Sequence, residues 1–89
     1  MNLNAFYKDK VVLITGSSMG IGKEIAYQVL LNGGKVVITG RNAQRLQAVK
    51  DEFSSWSDRV LTHQGDVSDY SSNVELIKKT VNRFDRLDI

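Results

Sequence analysis

The chain has no cysteine among its 89 residues. That excludes disulfides and thiolate metal sites, and it is compatible with a reducing compartment. Long hydrophobic runs are missing too, since the longest falls far short of the roughly 20 residues a membrane-spanning helix requires. The opening segment, Met1-Asn2-Leu3-Asn4-Ala5-Phe6-Tyr7-Lys8, lacks a basic stretch followed by an apolar core, so no secretory signal is read there. A cytoplasmic location is therefore expected, with no membrane partner. The single histidine, His63, has no second imidazole with which to form a metal pair. In an alternating strand it reads as a partly exposed residue. Charge of one sign is not concentrated either. Twelve Lys and Arg stand against ten Asp and Glu, a net +2, and Lys78-Lys79 is the only adjacent basic pair. A nucleic-acid footprint would show clustered bases with aromatics among them, so no nucleic-acid partner is expected.

What remains is ordinary globular material, 42% apolar and 25% charged. A chain of this length makes one small domain that buries roughly 60–65% of its unfolded surface, so its stability margin is thin. Lys10–Ile14 read as a buried strand and Gly20–Leu31 as a helix, with Ile21, Ile25 and Val29 on its inner face. Asn32-Gly33-Gly34 stops that helix. Lys35–Thr39 form a second strand, and Asn42 caps a second helix to about Phe53, with Leu46, Val49 and Phe53 facing inward. After a connection over residues 54–58, in which Trp56 packs over a helix end, Arg59–Gln64 form a third strand. Ser68 or Asp69 caps a third helix whose inner face carries Val74, Ile77, Val81 and Phe84, and Leu87-Asp88-Ile89 resemble the start of a fourth strand. The order βαβαβα, then β, predicts a parallel sheet with right-handed crossovers. It is the first half of a doubly wound α/β fold, strand order 3-2-1, as a single incomplete domain over residues 1–89. Two helices are expected on one face and the third on the other.

The densest chemistry lies in Thr15-Gly16-Ser17-Ser18-Met19-Gly20-Ile21-Gly22, between the first strand and the first helix. Glycines there permit a tight turn, close approach of backbone to a diphosphate, and close packing of helix on strand. The free N–H groups and positive dipole end of the helix face the anion. Gly16, Ser17, Ser18, Gly20, Ile21 and Gly22 are the candidate phosphate-loop residues. Ser17 and Ser18 can bond phosphate or ribose, or equally satisfy the turn backbone.

The loop resembles the T-G-x-x-x-G-I-G element of the short-chain dehydrogenases/reductases. The resemblance extends along the chain through Asp9-Lys10-Val11, Thr39-Gly40-Arg41-Asn42 and Gly65-Asp66-Val67-Ser68, in the family's order. It implies a Rossmann-type fold and a nicotinamide dinucleotide as cofactor and partner. At the end of the second strand an acid would bind the ribose hydroxyls of NAD, whereas an arginine pairs with the 2′-phosphate of NADP. Here Gly40 occupies the acid's place and Arg41 follows, which favours NADP over NAD. Met19 stands where many NADP-preferring relatives carry a second base. The resemblance implies that the Asp66 carboxylate accepts from the adenine amino group and that the Val67 backbone N–H meets a ring nitrogen.

The family's chemistry needs a tyrosine as general acid/base, a lysine four residues on to lower its pKa, and a serine to orient substrate. Four residues after Tyr7, Tyr27 and Tyr70 stand Val11, Leu31 and Val74, so no tyrosine here has that lysine. No catalytic residue is assigned, and the chain is expected to be inactive alone. The first strand is expected to be left at a sheet edge, an association template that a second copy or a complementing chain would cover.

Overall fold

Short apolar, β-branched-rich runs set the first two strands, which are buried on both faces of the sheet. A computed structural model of the chain describes residues 8–15, 20–66 and 68–88. Strands β1 (Val11–Thr15), β2 (Lys35–Gly40) and β3 (Val60–Gln64) form one parallel sheet in the order β1-β2-β3. Helices α1 (Gly20–Leu31), α2 (Ala43–Glu52) and α3 (Tyr70–Phe84) connect and follow them, with a 3₁₀ segment over Ser54–Arg59. The expected strand order and alternation are thus observed.

Because successive strand residues point to opposite faces, each strand feeds two cores. Val12, Ile14, Val36, Ile38 and Val60 face α1 and α2, which contribute Ala26, Val29, Leu30, Leu46 and Val49, joined by Phe53 at the end of α2. Val11 and Val37 face α3, which contributes Leu76 and Phe84. Two helices therefore lie on one face and one on the other. Trp56 closes the first core, with its ring edge-on to Tyr27 at 5.9 Å and tilted against Phe53 at 6.1 Å.

The helix phases differ from expectation. In α1, Ala26, Val29 and Leu30 are buried, while Ile21 and Ile25 are 81% and 45% exposed. A row at every fourth residue drifts, because at 3.6 residues per turn eight residues accumulate roughly 80°. Val29 lies in the contact and Ile21 has rotated out of it. In α3 the buried row is Leu76, Thr80 and Phe84, while Ile77 and Val81 are 48% and 43% exposed. The sequence concealed this row because its middle member is polar. Thr80 is tolerated inside because its hydroxyl donates to the Leu76 carbonyl at 2.8 Å.

Helix ends follow local chemistry. Gly33, at φ 85°, provides the left-handed residue after α1. Asn42 caps α2 by accepting the Arg45 N–H at 3.0 Å. Asp69, not Ser68, caps α3, its Oδ1 accepting the N–H groups of Ser71 and Ser72. Asp69→Ala should therefore cost about 1 kcal/mol, a fall of about 4–8 °C in Tm for a domain this size. A thermal melt followed by circular dichroism checks it, and an unchanged Tm would remove the cap from the account.

The fourth strand is not formed by the described residues, and Ile89 lies outside them. The segment after α3 nonetheless returns to β1. The Asp88 N–H donates to the Val11 carbonyl at 3.0 Å, and the Val11 N–H donates to Asp88 Oδ2 at 2.9 Å. Arg86 holds the same carboxylate through Nε and Nη2. The Arg86 hydrogen bond and then the Val11 N–H keep the Asp88 carboxyl below the ordinary aspartate value. The edge expected to be bare is thus met at its first residue.

Candidate functional site

Parallel register fixes what the sheet offers at its carboxyl edge. Thr15 pairs with Thr39, and Gly40 pairs with Gln64, so the ends of all three strands and the residues that follow converge there. Open α/β sheets bind ligands at this edge. Gly16, Ser17, Ser18, Met19 and Val67 lie outside the described residues. Gly20 opens α1 at φ 67°, a conformation that favours glycine, and a β-carbon there would meet open space. Ile21 beside it points into solvent. Gly22 is half-buried in the first turn of the same helix.

Arg41 and Asp66 come together. Arg41 Nη2 lies 3.1 Å from Asp66 Oδ1, and the Arg41 side chain is 76% exposed. The two loops are also tied through the backbone. The Gly65 N–H donates to the Gly40 carbonyl at 2.9 Å, and Gln64 Nε2 donates to the Arg41 carbonyl at 3.2 Å. Asp66 Oδ1 additionally accepts the N–H and the hydroxyl of Ser68, at 2.9 and 2.8 Å. These Ser68 bonds, backbone first, hold the Asp66 carboxyl below its ordinary value; desolvation opposes them, and Arg41 adds a lesser lowering effect. Asp66 is therefore an anionic acceptor. All three bonds fall on Oδ1. Oδ2 carries none among the described contacts. The Arg41 pair is exposed, and such pairs are weak enough to open when a better anion arrives. Gly40 leaves room beside it: a β-carbon would meet only Leu46 Cδ2, at 3.8 Å.

Sequence reasoning did not single out Ser68 as a partner of Asp66. The two-residue spacing, in which an aspartate accepts from the backbone two positions on, is the signal that could have shown it. It also misplaced His63. The ring is 5% exposed, on the α3 face of β3, with Nε2 3.2 Å from Ser72 Oγ and Nδ1 3.3 Å from Lys79 Nζ. Strand alternation allowed either face, and only the position of α3 decides between them.

An open depression of about 540 Å³ lies between α1 and the end of α2, lined by Gly20, Lys23, Glu24, Tyr27, Glu52 and Phe53. Lys23 and Glu52 are ion-paired across it. Among the described residues it shares only Gly20 with the expected site. Among the described residues no group of His, Asp and Glu could hold a metal ion, and no helix is long and apolar enough to cross a membrane.

Similarity to known proteins agrees with this geometry. The chain is 37% identical over 82 residues to the (2S)-[(R)-hydroxy(phenyl)methyl]succinyl-CoA dehydrogenase subunit BbsD of Thauera aromatica, covering 92% of this chain and 33% of that protein. Among solved structures it superposes on a short chain dehydrogenase from Bacillus anthracis with a TM-score of 0.87 at 38% identity, covering 92% of this chain and 34% of the other. It matches the C-domain of a bacterial malonyl-CoA reductase, solved with NADP, with the same TM-score of 0.87 at 32% identity, covering 98% and 15%. The chain thus spans about a third or less of the length of these relatives. Residues 10–89 match the family model described as short chain dehydrogenase, and with the parallel sheet and its carboxyl-edge loops in place the chain belongs to that family.

Proposed function

We propose that this chain is the NADP(H)-binding portion of a short-chain dehydrogenase/reductase. In full length such an enzyme transfers hydride between NADP(H) and a carbonyl or alcohol. The observation that carries the reading is the pairing at the sheet edge. A side chain able to grip phosphate, Arg41, lies 3.1 Å from a carboxylate able to read adenine, Asp66, with Gly40 leaving space between the strand and the nucleotide. In this reading the loop through Gly16, Ser17, Ser18, Gly20, Ile21 and Gly22 takes the diphosphate. Arg41 turns from Asp66 to the 2′-phosphate, Asp66 Oδ2 accepts from the adenine amino group, and the Val67 N–H meets the ring.

The cofactor supplies the hydride, while these residues bind and orient its adenosine half. A hydrogen bond to a charged group changes affinity by roughly 10- to 150-fold. Arg41→Ala should therefore erase most of a preference for NADPH over NADH. Gly40→Asp should reverse it, because the new carboxylate accepts from ribose hydroxyls and repels phosphate. The β-carbon of the second variant has 3.8 Å of clearance to Leu46 Cδ2. Fluorescence titration with both cofactors is the test, and equal binding of NADH and NADPH by the unmodified chain would overturn the choice of cofactor.

A second reading, a non-catalytic nucleotide-binding module completed by another chain, draws on the apolar side chains left in solvent. Ile21 and Ile25 on α1, and Ile77 and Val81 on α3, are all exposed. Cosedimentation of the chain with candidate partners, with and without NADPH, separates this reading from the first.

A further inference from the structure

His63, Ser72 and Lys79 form a partly buried polar chain between β3 and α3. An ammonium group only donates, so Lys79 Nζ, 3.3 Å from Nδ1, identifies that nitrogen as the acceptor. In the tautomer that lets Nδ1 accept, Nε2–H donates to Ser72 Oγ at 3.2 Å. Ser72 sits in the first turn of α3 beside Gly65. A β-carbon on Gly65 would overlap Ser72 Oγ and lie 3.0 Å from His63 Nε2.

From Ser72 the hydrogen bonds return to the site. The Ser72 N–H donates to Asp69 Oδ1 at 3.4 Å, and the Asp69 N–H donates to the Asp66 carbonyl at 2.9 Å. His63, Ser72, Asp69 and Asp66 thus form a series of hydrogen bonds between the end of β3 and the start of α3, and the backbone over residues 63–66 joins its two ends. On the opposite side Gly65 is held by its bond to Gly40. The segment that carries the Asp66 carboxylate has a fixed contact on each flank.

We propose that His63 is a positioning residue for adenine recognition: through Ser72 it holds the start of α3 against Gly65 and so aims Asp66 Oδ2 at the base. The proposal rests on the assignment of Asp66 to adenine made above. It distinguishes the two ring nitrogens. The bond from Nε2 to Ser72 positions Asp66, whereas the Nδ1 contact with Lys79 lies away from it.

The test compares NADPH with its hypoxanthine counterpart, in which an oxo group replaces the adenine amino group. A glutamine amide nitrogen lies near the Nε2 position and keeps the donor to Ser72. An asparagine oxygen lies near the Nδ1 position and leaves Ser72 without its donor. The unmodified chain should favour NADPH by about tenfold or more, the scale of one hydrogen bond to a charged group. His63→Gln should keep that preference. His63→Asn and Ser72→Ala should reduce it to within about threefold while affinity for the hypoxanthine nucleotide stays unchanged. Ser72→Ala removes the same bond without altering the strand, so it decides the matter if His63→Asn fails to fold. Full retention of the preference in Ser72→Ala overturns the proposal. So does parallel loss of both nucleotides, which would mark a structural role. If the unmodified chain does not distinguish the two nucleotides, the adenine assignment fails and the positioning role falls with it.

Discussion

Gly65→Ala should lower the melting temperature by about 4–24 °C, and adding Ser72→Ala should restore part of the loss. Overpacking costs about 1–3 kcal/mol, and each kcal/mol shifts Tm by about 4–8 °C in a domain this small. The reason is space rather than backbone strain, since Gly65 is not among the positive-φ glycines. The new methyl group would overlap Ser72 Oγ and press on His63 Nε2 at 3.0 Å. Ser72 can escape only by rotating its hydroxyl away, which leaves the Nε2–H of a buried imidazole without its acceptor. Removing the hydroxyl in advance abolishes the overlap. The double variant should therefore be more stable than the sum of the two single losses by about 1 kcal/mol or more, the signature of two residues in contact. Thermal melts of the three variants provide the cycle. Strict additivity would show that Gly65 and Ser72 do not meet in solution.

The same residues show what could be read from the chain and what could not. Strand and helix positions were legible because each rests on a local cause. Apolar β-branched runs make Val11–Thr15 and Lys35–Gly40 strands, and Asn42, Asp69 and Gly33 mark helix ends by their own side chains or conformations. Sheet order and the division of helices between the faces followed from connectivity. Which stripe of a helix is buried was less legible, because it depends on where the neighbouring sheet sits. In α3 the apolar row Ile77–Val81 lies outside and Thr80 lies inside. The same dependence hid the burial of His63 and the pairing of Arg41 with Asp66, residues 25 positions apart. The bond between Val11 and Asp88, separated by 77 positions, is the extreme case.

The 89-residue chain should show no NADPH-dependent reduction of aldehydes or ketones, and no reverse oxidation. Hydride transfer to a carbonyl needs a proton donor beside the developing alkoxide. A phenol with an ordinary pKa of about 10 holds its proton too tightly at neutral pH unless a cation lowers it. Neither described tyrosine is followed four positions on by a lysine. Tyr27 is stacked against Phe53 at 6.4 Å, and Tyr70 is 81% exposed at the start of α3. The residues four positions after them are Leu31 and Val74. Lys79 contacts His63, which contacts Ser72, and no tyrosine takes part in these described contacts. Binding the adenosine half of the cofactor does not compensate, because only interactions stronger in the transition state than in the ground state lower the barrier. Loss of NADPH absorbance over a panel of carbonyl compounds is the assay, with Arg41→Ala as the control for cofactor binding. Turnover that copurifies with the chain and weakens in Arg41→Ala would place a proton donor among these residues and overturn the division between cofactor binding here and chemistry elsewhere.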